Sequence, residues 1–160
     1  MEEKLPFERI KHEILVKKEA NTNDQYGCYS EKRSVEQLVQ YGIINLNKSA
    51  GPTSHQVSDY VQRILNIDKA GHSGTLDPNV TGVLPIALDK ATRIVQALLN
   101  SGKEYICLMH LHKEVTEKKI YESIKEFQGK IKQLPPRRSA VKRQERFREV
   151  YYLNILEIIG

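Results

Sequence analysis

GHSGTLDPNVTGVLPIA, residues 71–87, joins a glycine-rich loop to an apolar strand. The loop ends at Asp77, and Pro78 restricts the backbone of the aspartate that precedes it. The glycines allow the main chain to approach a ligand closely. The stretch therefore predicts a single carboxylate held rigidly at a cleft. The residues alone favour a plainer interpretation, because Asp-Pro is also a common way to begin a turn.

Regular elements are predicted on both sides of this stretch. An apolar strand over 42–46 precedes it, and Ser54 is predicted as the N-cap of a helix over about 55–66, where apolar residues recur at helical spacing. Pro85 interrupts the strand of the quoted stretch, which indicates an edge strand or a bulge. A further helix is predicted over 90–99 from its apolar periodicity.

The second half of the chain predicts strands around one helix. Residues 103–112 alternate as a strand, 116–127 form a helix, and further strands are expected near 129–133 and over about 149–159. Mixed elements without strict βαβ alternation indicate an α+β fold with a largely antiparallel sheet. Both faces of the last strand are mostly apolar, so we expect the sheet to continue in residues outside this chain.

The net charge of the chain, +5 over 160 residues, is concentrated in one segment. Residues 130–148 hold eight Lys and Arg against one acid, Glu145, so this window carries +7 and the rest of the chain −2. Clustered basic residues are typical of phosphate binding. A solvated loop or a targeting tract explains such a short basic run equally well.

Composition excludes several classes of protein. Cys28 and Cys107 cannot form a disulfide scaffold or a four-ligand zinc site by themselves, so a reducing interior is expected. No apolar run approaches the roughly 20 residues of a membrane span, and residues 1–20 contain no signal-like apolar core. His110 and His112 share a predicted strand face without an evident third ligand, so we predict no metal site.

Three motifs in order give the chain a family resemblance. The quoted stretch contains a GHxGTLDPxxxGxLP pattern, residues 46–57 read LNKSAGPTSHQV, and residues 103–105 read KEY. Together they resemble the TruB-type pseudouridine synthases over nearly the whole chain. The second motif has Asn47 and Ser49 where Asp and Pro are usual in the guide-RNA branch of that family. The resemblance implies the α+β pseudouridine synthase catalytic fold, with a mixed, mostly antiparallel sheet and flanking helices, incomplete in this chain.

Further patterns resemble one branch of that family, the archaeal and eukaryotic dyskerin-type proteins. They are YGCYSEKRS at 26–34, LHK at 111–113 and PPRRSAVKRQ at 135–144. Members of this branch are the catalytic subunits of H/ACA guide ribonucleoproteins. The resemblance implies an N-terminal arm over 1–40 and the N-terminal part of a catalytic domain over 41–160. It also identifies 130–148 as a thumb loop that closes over RNA.

The resemblance implies isomerisation of uridine to pseudouridine in tRNA or rRNA, without a metal or organic cofactor. The uracil is detached from its ribose carbon, rotated and rejoined through carbon after the base leaves its stack. Asp77 would act as nucleophile or base, ionised but poorly solvated. His72 would occupy or support the space that the flipped base vacates, and Tyr105 would stack on the uracil. The residues alone leave His72 as a hydrogen-bonded loop histidine and Tyr105 as a core tyrosine.

Other residues receive supporting or RNA-binding roles from the same resemblance. Thr53 and Ser54 are interpreted as helix caps rather than nucleophiles, because no base is paired with either. The residues predicted to support the site are Lys48, Gly51, Pro52, Gly74 and Pro78. The residues predicted to bind RNA are Arg137, Arg138, Lys142 and Arg143.

Two features of the family are not found before Gly160. They are a GTYIRSL-like strand motif, whose arginine pairs with the catalytic aspartate, and a C-terminal PUA domain. We therefore expect a partial catalytic domain with little activity of its own. The expected partners are substrate RNA, H/ACA guide RNA and small ribonucleoprotein subunits, with no membrane, in the cytoplasm or in a eukaryotic nucleolus. The alternatives are a stand-alone tRNA pseudouridine synthase acting on the T-loop, or a catalytically silent RNA-binding or assembly fragment.

Overall fold

A computed structural model describes residues 4–21, 23, 25–99, 101–137 and 142–159. The chain divides into two compact units. Leu15–Ser101 form one, which we call the Asp77 unit, and Met1–Ile14 with Gly102–Gly160 form the other, which we call the hairpin unit. The division into an arm over 1–40 and a partial catalytic domain over 41–160 stays a prediction.

Helices and strands are short and alternate irregularly along the chain. The α-helices are α1 (Pro6–Arg9), α2 (Val35–Tyr41), α3 (Ser54–Leu65), α4 (Val95–Leu99) and α5 (Glu117–Lys125), and 3-10 helices cover Ser30–Lys32 and Asp89–Ile94. The strands are β1 (Ile43–Lys48), β2 (Ala70–His72), β3 (Gly82–Leu88), β4 (Gly129–Gln133) and β5 (Arg146–Val150). No helix among the described residues has the length and apolar character needed to cross a membrane.

A three-stranded antiparallel sheet, in the order β1-β3-β2, forms the centre of the Asp77 unit. Its core cluster joins Val57 and Val61 of α3 to Leu84, Ile86 and Leu88 of β3. Val57, Val61 and Leu65 of the apolar pattern in α3 therefore pack in or against this core, whereas Tyr60 and Ile64 of the same pattern are exposed. The predicted α+β class with antiparallel pairing is confirmed.

The prediction that Pro85 marks an edge strand or a bulge is wrong. β3 is the central strand, and its pairing with β1 runs one to one from Ile43↔Ala87 to Lys48↔Gly82. The carbonyl of Pro85 accepts a hydrogen bond from Ser73 N at 3.2 Å, on the β2 side. In an antiparallel pair the N–H and C=O of one residue face the same neighbour. The nitrogen of Pro85 thus faces Ser73, just beyond the end of β2, and cannot donate the reciprocal hydrogen bond, so the regular pairing of β2 with β3 ends there.

The predicted helix over 55–66 is confirmed as α3, but its N-cap is Thr53. The Thr53 hydroxyl accepts a hydrogen bond from Gln56 N at 3.2 Å, and Gln56 Oε1 accepts one from Thr53 N at 2.8 Å. This reciprocal pair is a capping box. The prediction that Ser54 caps the helix is therefore wrong, because Ser54 is already the first helical residue. The predicted helix over 90–99 is 3-10 in its first part and α-helical in its second.

In the hairpin unit, β4 and β5 pair antiparallel after α5. The basic window 130–148 is therefore not a single loop: its two ends are the strands of a hairpin, and the described residues between them, 134–137 and 142–145, form no helix or strand. The strand predicted over 103–112 is not formed, and the last strand ends at Val150. Ile106 is 88% exposed and Leu156 is 80% exposed. Alternation alone does not make a strand, because a strand also needs a partner and a covered face.

Candidate functional site

Asp77 begins a tight turn at the end of the glycine-rich loop. Val80 N donates a hydrogen bond to the Asp77 carbonyl at 3.0 Å. Pro78 occupies the second position of this turn, where its fixed φ is favourable. The Asp77 side chain is exposed, and none of the described residues donates a hydrogen bond to its carboxylate. The plainer interpretation of Asp-Pro as a turn is thus correct, and the turn presents an exposed carboxylate that is unpaired within the part of the chain that the structure describes.

Ser54 fixes the residue just before this aspartate. Its hydroxyl oxygen accepts a hydrogen bond from Leu76 N at 2.9 Å and donates one to the Leu76 carbonyl at 3.2 Å. Ser54 is fully buried at the start of α3. Sequence reasoning missed this contact, because a Thr-Ser pair before a helix indicates capping and contains no signal for a bond to a residue 22 positions away.

Lys48 fixes the residues just after the aspartate. It ends β1 and is fully buried. Its ammonium donates to the carbonyls of Ser49 at 2.9 Å, Pro78 at 3.2 Å and Val80 at 2.8 Å. These bonds occupy all the donors of the ammonium group, as a buried charge requires. These contacts agree with the supporting role predicted for Lys48. That the role matters for activity stays a prediction.

Gly51 adds a second hydrogen bond to the same turn. Its N–H donates to the Pro78 carbonyl at 2.8 Å. Gly51 adopts φ +114°, which side-chain-bearing residues rarely reach. Gly74, which lies three residues before Asp77, also has a positive φ of +142°. Pro52, the remaining residue predicted to support the site, is half-buried beside Gly51.

Main-chain groups on both sides of Asp77 are therefore held by other parts of the Asp77 unit. The carboxylate itself is exposed, whereas we expected a poorly solvated one. The difference arises because the described residues of this unit make the loop rigid through its backbone and place no hydrogen-bonding side chain on the carboxylate. A fixed backbone with a free carboxylate is suited to meeting an outside reactant.

His72 is the last residue of β2 and stands opposite Ile86 of β3. Its side chain is half-buried, and its Nδ1 atom is buried without a hydrogen-bond partner among the described residues. The residues alone predicted a hydrogen-bonded loop histidine, but His72 ends a strand and its Nδ1 makes no hydrogen bond with the described residues. Its place in the loop motif, five residues before Asp77, leaves the substrate-binding role as a prediction.

Tyr105 belongs to the hairpin unit and is 68% exposed, so it is not a core tyrosine. His110 and His112 stack with ring centroids 5.2 Å apart. No group of three metal-ligating side chains occurs in the described part of the chain. The role of Tyr105 in stacking on uracil stays a prediction.

Three of the four residues predicted to bind RNA lie in described parts of the basic window, between β4 and β5. Arg137, Lys142 and Arg143 are exposed. Arg138 lies outside the described residues. Lys142 is connected to the root of the hairpin, because its carbonyl accepts a hydrogen bond from Arg146 Nη2 at 3.3 Å.

The two faces of the hairpin differ in charge. Side chains alternate between faces along each strand, so the register places Lys130 and Lys132 with Phe147 on one face. On that face Lys132 pairs with Glu145 at 2.8 Å, and Lys130 lies 5.0 Å from the centroid of the Phe147 ring. The register places Ile131, Gln133, Arg146 and Arg148 on the other face. That second face, which we call the arginine face, carries two positive charges and no acid. The sequence alone predicts a loop for Arg146 and Arg148, and it does not show which basic residues share a face of the hairpin, because that depends on the register of β4 and β5.

Two family models match the chain. The N-terminal domain of the TruB family pseudouridylate synthases matches residues 62–153. The DKCLD (NUC011) domain matches residues 2–58. The first match includes Asp77, Tyr105 and the whole hairpin, and the second includes Lys48 and Ser54.

Curated relatives and solved structures agree with these models. The chain is 59% identical over 152 residues to a probable tRNA pseudouridine synthase B of Pyrococcus furiosus, a match covering 94% of the chain and 45% of the relative. It is 54% identical over 157 residues to the Methanopyrus kandleri protein of the same name, covering 98% and 46%.

Among solved structures, one of a Cbf5-Nop10-Gar1 complex matches with a TM-score of 0.87 at 59% identity, covering 95% of this chain and 46% of that chain. An H/ACA RNP bound to a substrate RNA containing 2'-deoxyuridine matches with a TM-score of 0.83 at 54% identity, covering 95% and 45%. The chain thus spans about 45% of the length of these relatives.

Proposed function

The chain belongs to the TruB family of pseudouridylate synthases, and on that basis we propose that it isomerises uridine to pseudouridine in RNA with Asp77 as the catalytic carboxylate. The observation that carries this proposal is the arrangement at the turn. The backbone on both sides of Asp77 is fixed by Ser54, Lys48 and Gly51, while the carboxylate is exposed and receives no hydrogen bond from the described residues.

The proposed reaction needs a carboxylate that reaches a displaced base. The target uridine leaves its stack, because the atoms that react are not accessible inside a helix. Asp77 then acts as nucleophile or base while uracil is detached, rotated and rejoined to the ribose through carbon. Because Asp77 is exposed in the protein, the substrate RNA supplies the cover that removes water from the carboxylate. A rigid backbone at Asp77 lowers the entropy that must be lost when RNA and carboxylate meet.

Two further side chains are assigned to the substrate in this proposal. His72, which is half-buried at the end of β2, supports the space left by the flipped uridine. Tyr105 stacks on the target uracil through its exposed ring. Neither residue needs a metal or an organic cofactor for these roles.

The hairpin is proposed to hold the RNA backbone. Its arginine face and the exposed side chains of Arg137, Lys142 and Arg143 form the electrostatic part of the contact. Arg138, which lies outside the described residues, is assigned the same role from the sequence. Arginine suits this role, because its planar fork of donors matches phosphate oxygens. Affinity from such contacts falls steeply as salt rises.

We assign the chain to a guide-dependent H/ACA ribonucleoprotein containing guide RNA and small protein subunits. Support comes from the match to the DKCLD domain and from the solved relatives, which are H/ACA and Cbf5-Nop10-Gar1 complexes. The names of the curated relatives favour a second candidate, a stand-alone synthase acting on tRNA. The proposed location is the cytoplasm, or the nucleolus in a eukaryote.

The test measures pseudouridine in tRNA and in a guide-matched RNA by mass spectrometry, with the full-length protein and with or without guide RNA and subunits. We expect the product in the guide-matched RNA only when guide RNA is present, and its loss in Asp77→Asn. The matched control is Asp68→Asn, which changes an exposed aspartate of the same unit outside the turn. Product on bare tRNA would favour the stand-alone candidate. RNA retention without product from the unaltered protein would identify a catalytically silent RNA-binding protein.

A further inference from the structure

The geometry points to Ser54 as a positioning residue for the proposed reaction, one that acts on Asp77 through the backbone of Leu76. This inference rests on the proposed function of Asp77. Ser54 does not face the substrate, because it is fully buried. Its hydroxyl joins the start of α3 to the residue that immediately precedes the carboxylate.

A single hydroxyl here satisfies both main-chain groups of one residue. Ser54 Oγ lies 2.9 Å from Leu76 N, from which it accepts, and 3.2 Å from the Leu76 carbonyl, to which it donates. Fixing the N–H and the C=O of Leu76 together limits rotation about both of its backbone dihedrals. The C=O belongs to the peptide group that leads into Asp77. The orientation of that peptide group determines where the aspartate side chain begins.

Ser54 supplies the restraint that the other contacts cannot. Lys48 and Gly51 bind carbonyls that come after Asp77, so they leave the preceding peptide free to turn. Because Ser54 is buried, water cannot readily replace its hydroxyl once that group is removed. The turn is then held on one side only, and the carboxylate samples a wider range of positions.

The division between Thr53 and Ser54 explains why the motif carries two hydroxyls in sequence. Thr53 satisfies the first turn of α3 through its capping box with Gln56. Because Thr53 caps the helix, the Ser54 hydroxyl is not needed there and bonds to Leu76 instead. The roles are not interchangeable, because the capping side chain must precede the helix while Ser54 lies inside its first turn.

Ser58 provides a matched control on the same helix. It is 4% exposed, and its hydroxyl donates to the Ser54 carbonyl at 3.2 Å. Ser58→Ala therefore removes a buried hydroxyl and a hydrogen bond of similar length without touching Leu76. Any effect common to Ser54→Ala and Ser58→Ala reports on α3 alone. An effect confined to Ser54→Ala reports on the turn.

The kinetic test compares both variants of the full-length protein assembled with guide RNA, under single-turnover conditions. Misplacing a reacting group by about 1 Å costs on the order of 100-fold in rate. We therefore expect Ser54→Ala to lower the rate of isomerisation by roughly 10- to 100-fold, with the Kd for RNA changed less than about threefold. Ser58→Ala should keep a rate close to that of the unaltered protein. An unchanged rate in Ser54→Ala, or an equal loss in both variants, would overturn the proposal.

A second measurement is independent of activity. Hydrogen exchange at the Leu76 amide is expected to accelerate by about tenfold or more in Ser54→Ala, because a lost hydrogen bond of about 1.4 kcal/mol corresponds to a factor of ten. The same amide should be unaffected in Ser58→Ala. Unchanged exchange in Ser54→Ala would contradict the contact itself. If exchange accelerates while the unaltered protein shows no isomerisation, the contact holds and the proposed function fails.

Discussion

Replacing Lys48 by methionine is expected to destabilise the Asp77 unit strongly, although the two side chains are similar in length. Lys48 is fully buried, and its ammonium is bound to three carbonyls within 3.2 Å. Methionine keeps the apolar stem and removes every one of these donors. The Pro78 carbonyl retains the N–H of Gly51, whereas the carbonyls of Ser49 and Val80 lose the donor that Lys48 gives them.

The expected loss of stability follows from the two carbonyls, of Ser49 and Val80, that no longer accept a hydrogen bond from Lys48. A hydrogen bond to a charged group contributes about 1.5–3 kcal/mol, so two of them are worth roughly 3–6 kcal/mol. Removing a buried charge also relieves its desolvation, which offsets part of that loss. We therefore expect Lys48→Met to lower the free energy of unfolding by about 2–4 kcal/mol. This is a large part of the roughly 5–15 kcal/mol that stabilises a typical domain.

Urea denaturation followed by circular dichroism measures this loss directly. The matched control is Lys69→Met, because Lys69 is an exposed lysine of the same unit. Its free energy of unfolding should change by less than about 0.5 kcal/mol. A change of less than about 0.5 kcal/mol in Lys48→Met as well would show that the carbonyls of Ser49 and Val80 are satisfied without the ammonium.

Two more predictions concern the hairpin and the turn. Changing Arg146 and Arg148 together to glutamine should lower the slope of log K for RNA against log salt by about 1.4, because each phosphate contact contributes about 0.7 on a single strand. The same change at Lys130 and Lys132 should alter that slope less, because Lys132 is paired with Glu145 and Lys130 lies over the Phe147 ring. Equal slopes in both double variants would contradict the assignment of faces. Gly51→Ala should reduce the free energy of unfolding by about 1–3 kcal/mol in a thermal melt, because alanine is strained at φ +114°. A melting temperature equal to that of the unaltered protein would show that the loop adjusts without cost.

Local sequence signals predicted the elements that position Asp77. The apolar spacing in 55–66 predicts α3. The glycines and the Asp-Pro pair predict the loop before β3. These signals succeed because each depends on residues close together in the chain. The contacts that fix the turn could not be predicted by the same means. Ser54 and Leu76 are 22 residues apart, so their hydrogen bonds depend on how α3 packs against the sheet.

Two failures have a common physical cause. Pro85 predicts an edge strand or a bulge, yet it lies in the central strand, because its nitrogen faces the chain just beyond the end of β2. Residues 103–112 alternate like a strand but form none, because no described strand pairs with them. In both cases the outcome depends on the neighbouring strand, whose position is a property of the tertiary structure.

The proposed reaction depends on where the fixed turn places the Asp77 carboxylate, and Asp77→Glu changes that position alone. Glutamate keeps the charge and the chemistry but places the carboxylate one methylene further from a backbone that the turn holds fixed. The measurement is the single-turnover rate of pseudouridine formation by the full-length protein with guide RNA, alongside the Kd for the same RNA. We predict a rate lower by about 100-fold or more at nearly constant Kd. A rate close to that of the unaltered protein would show that the fixed placement of Asp77 is not what the reaction requires.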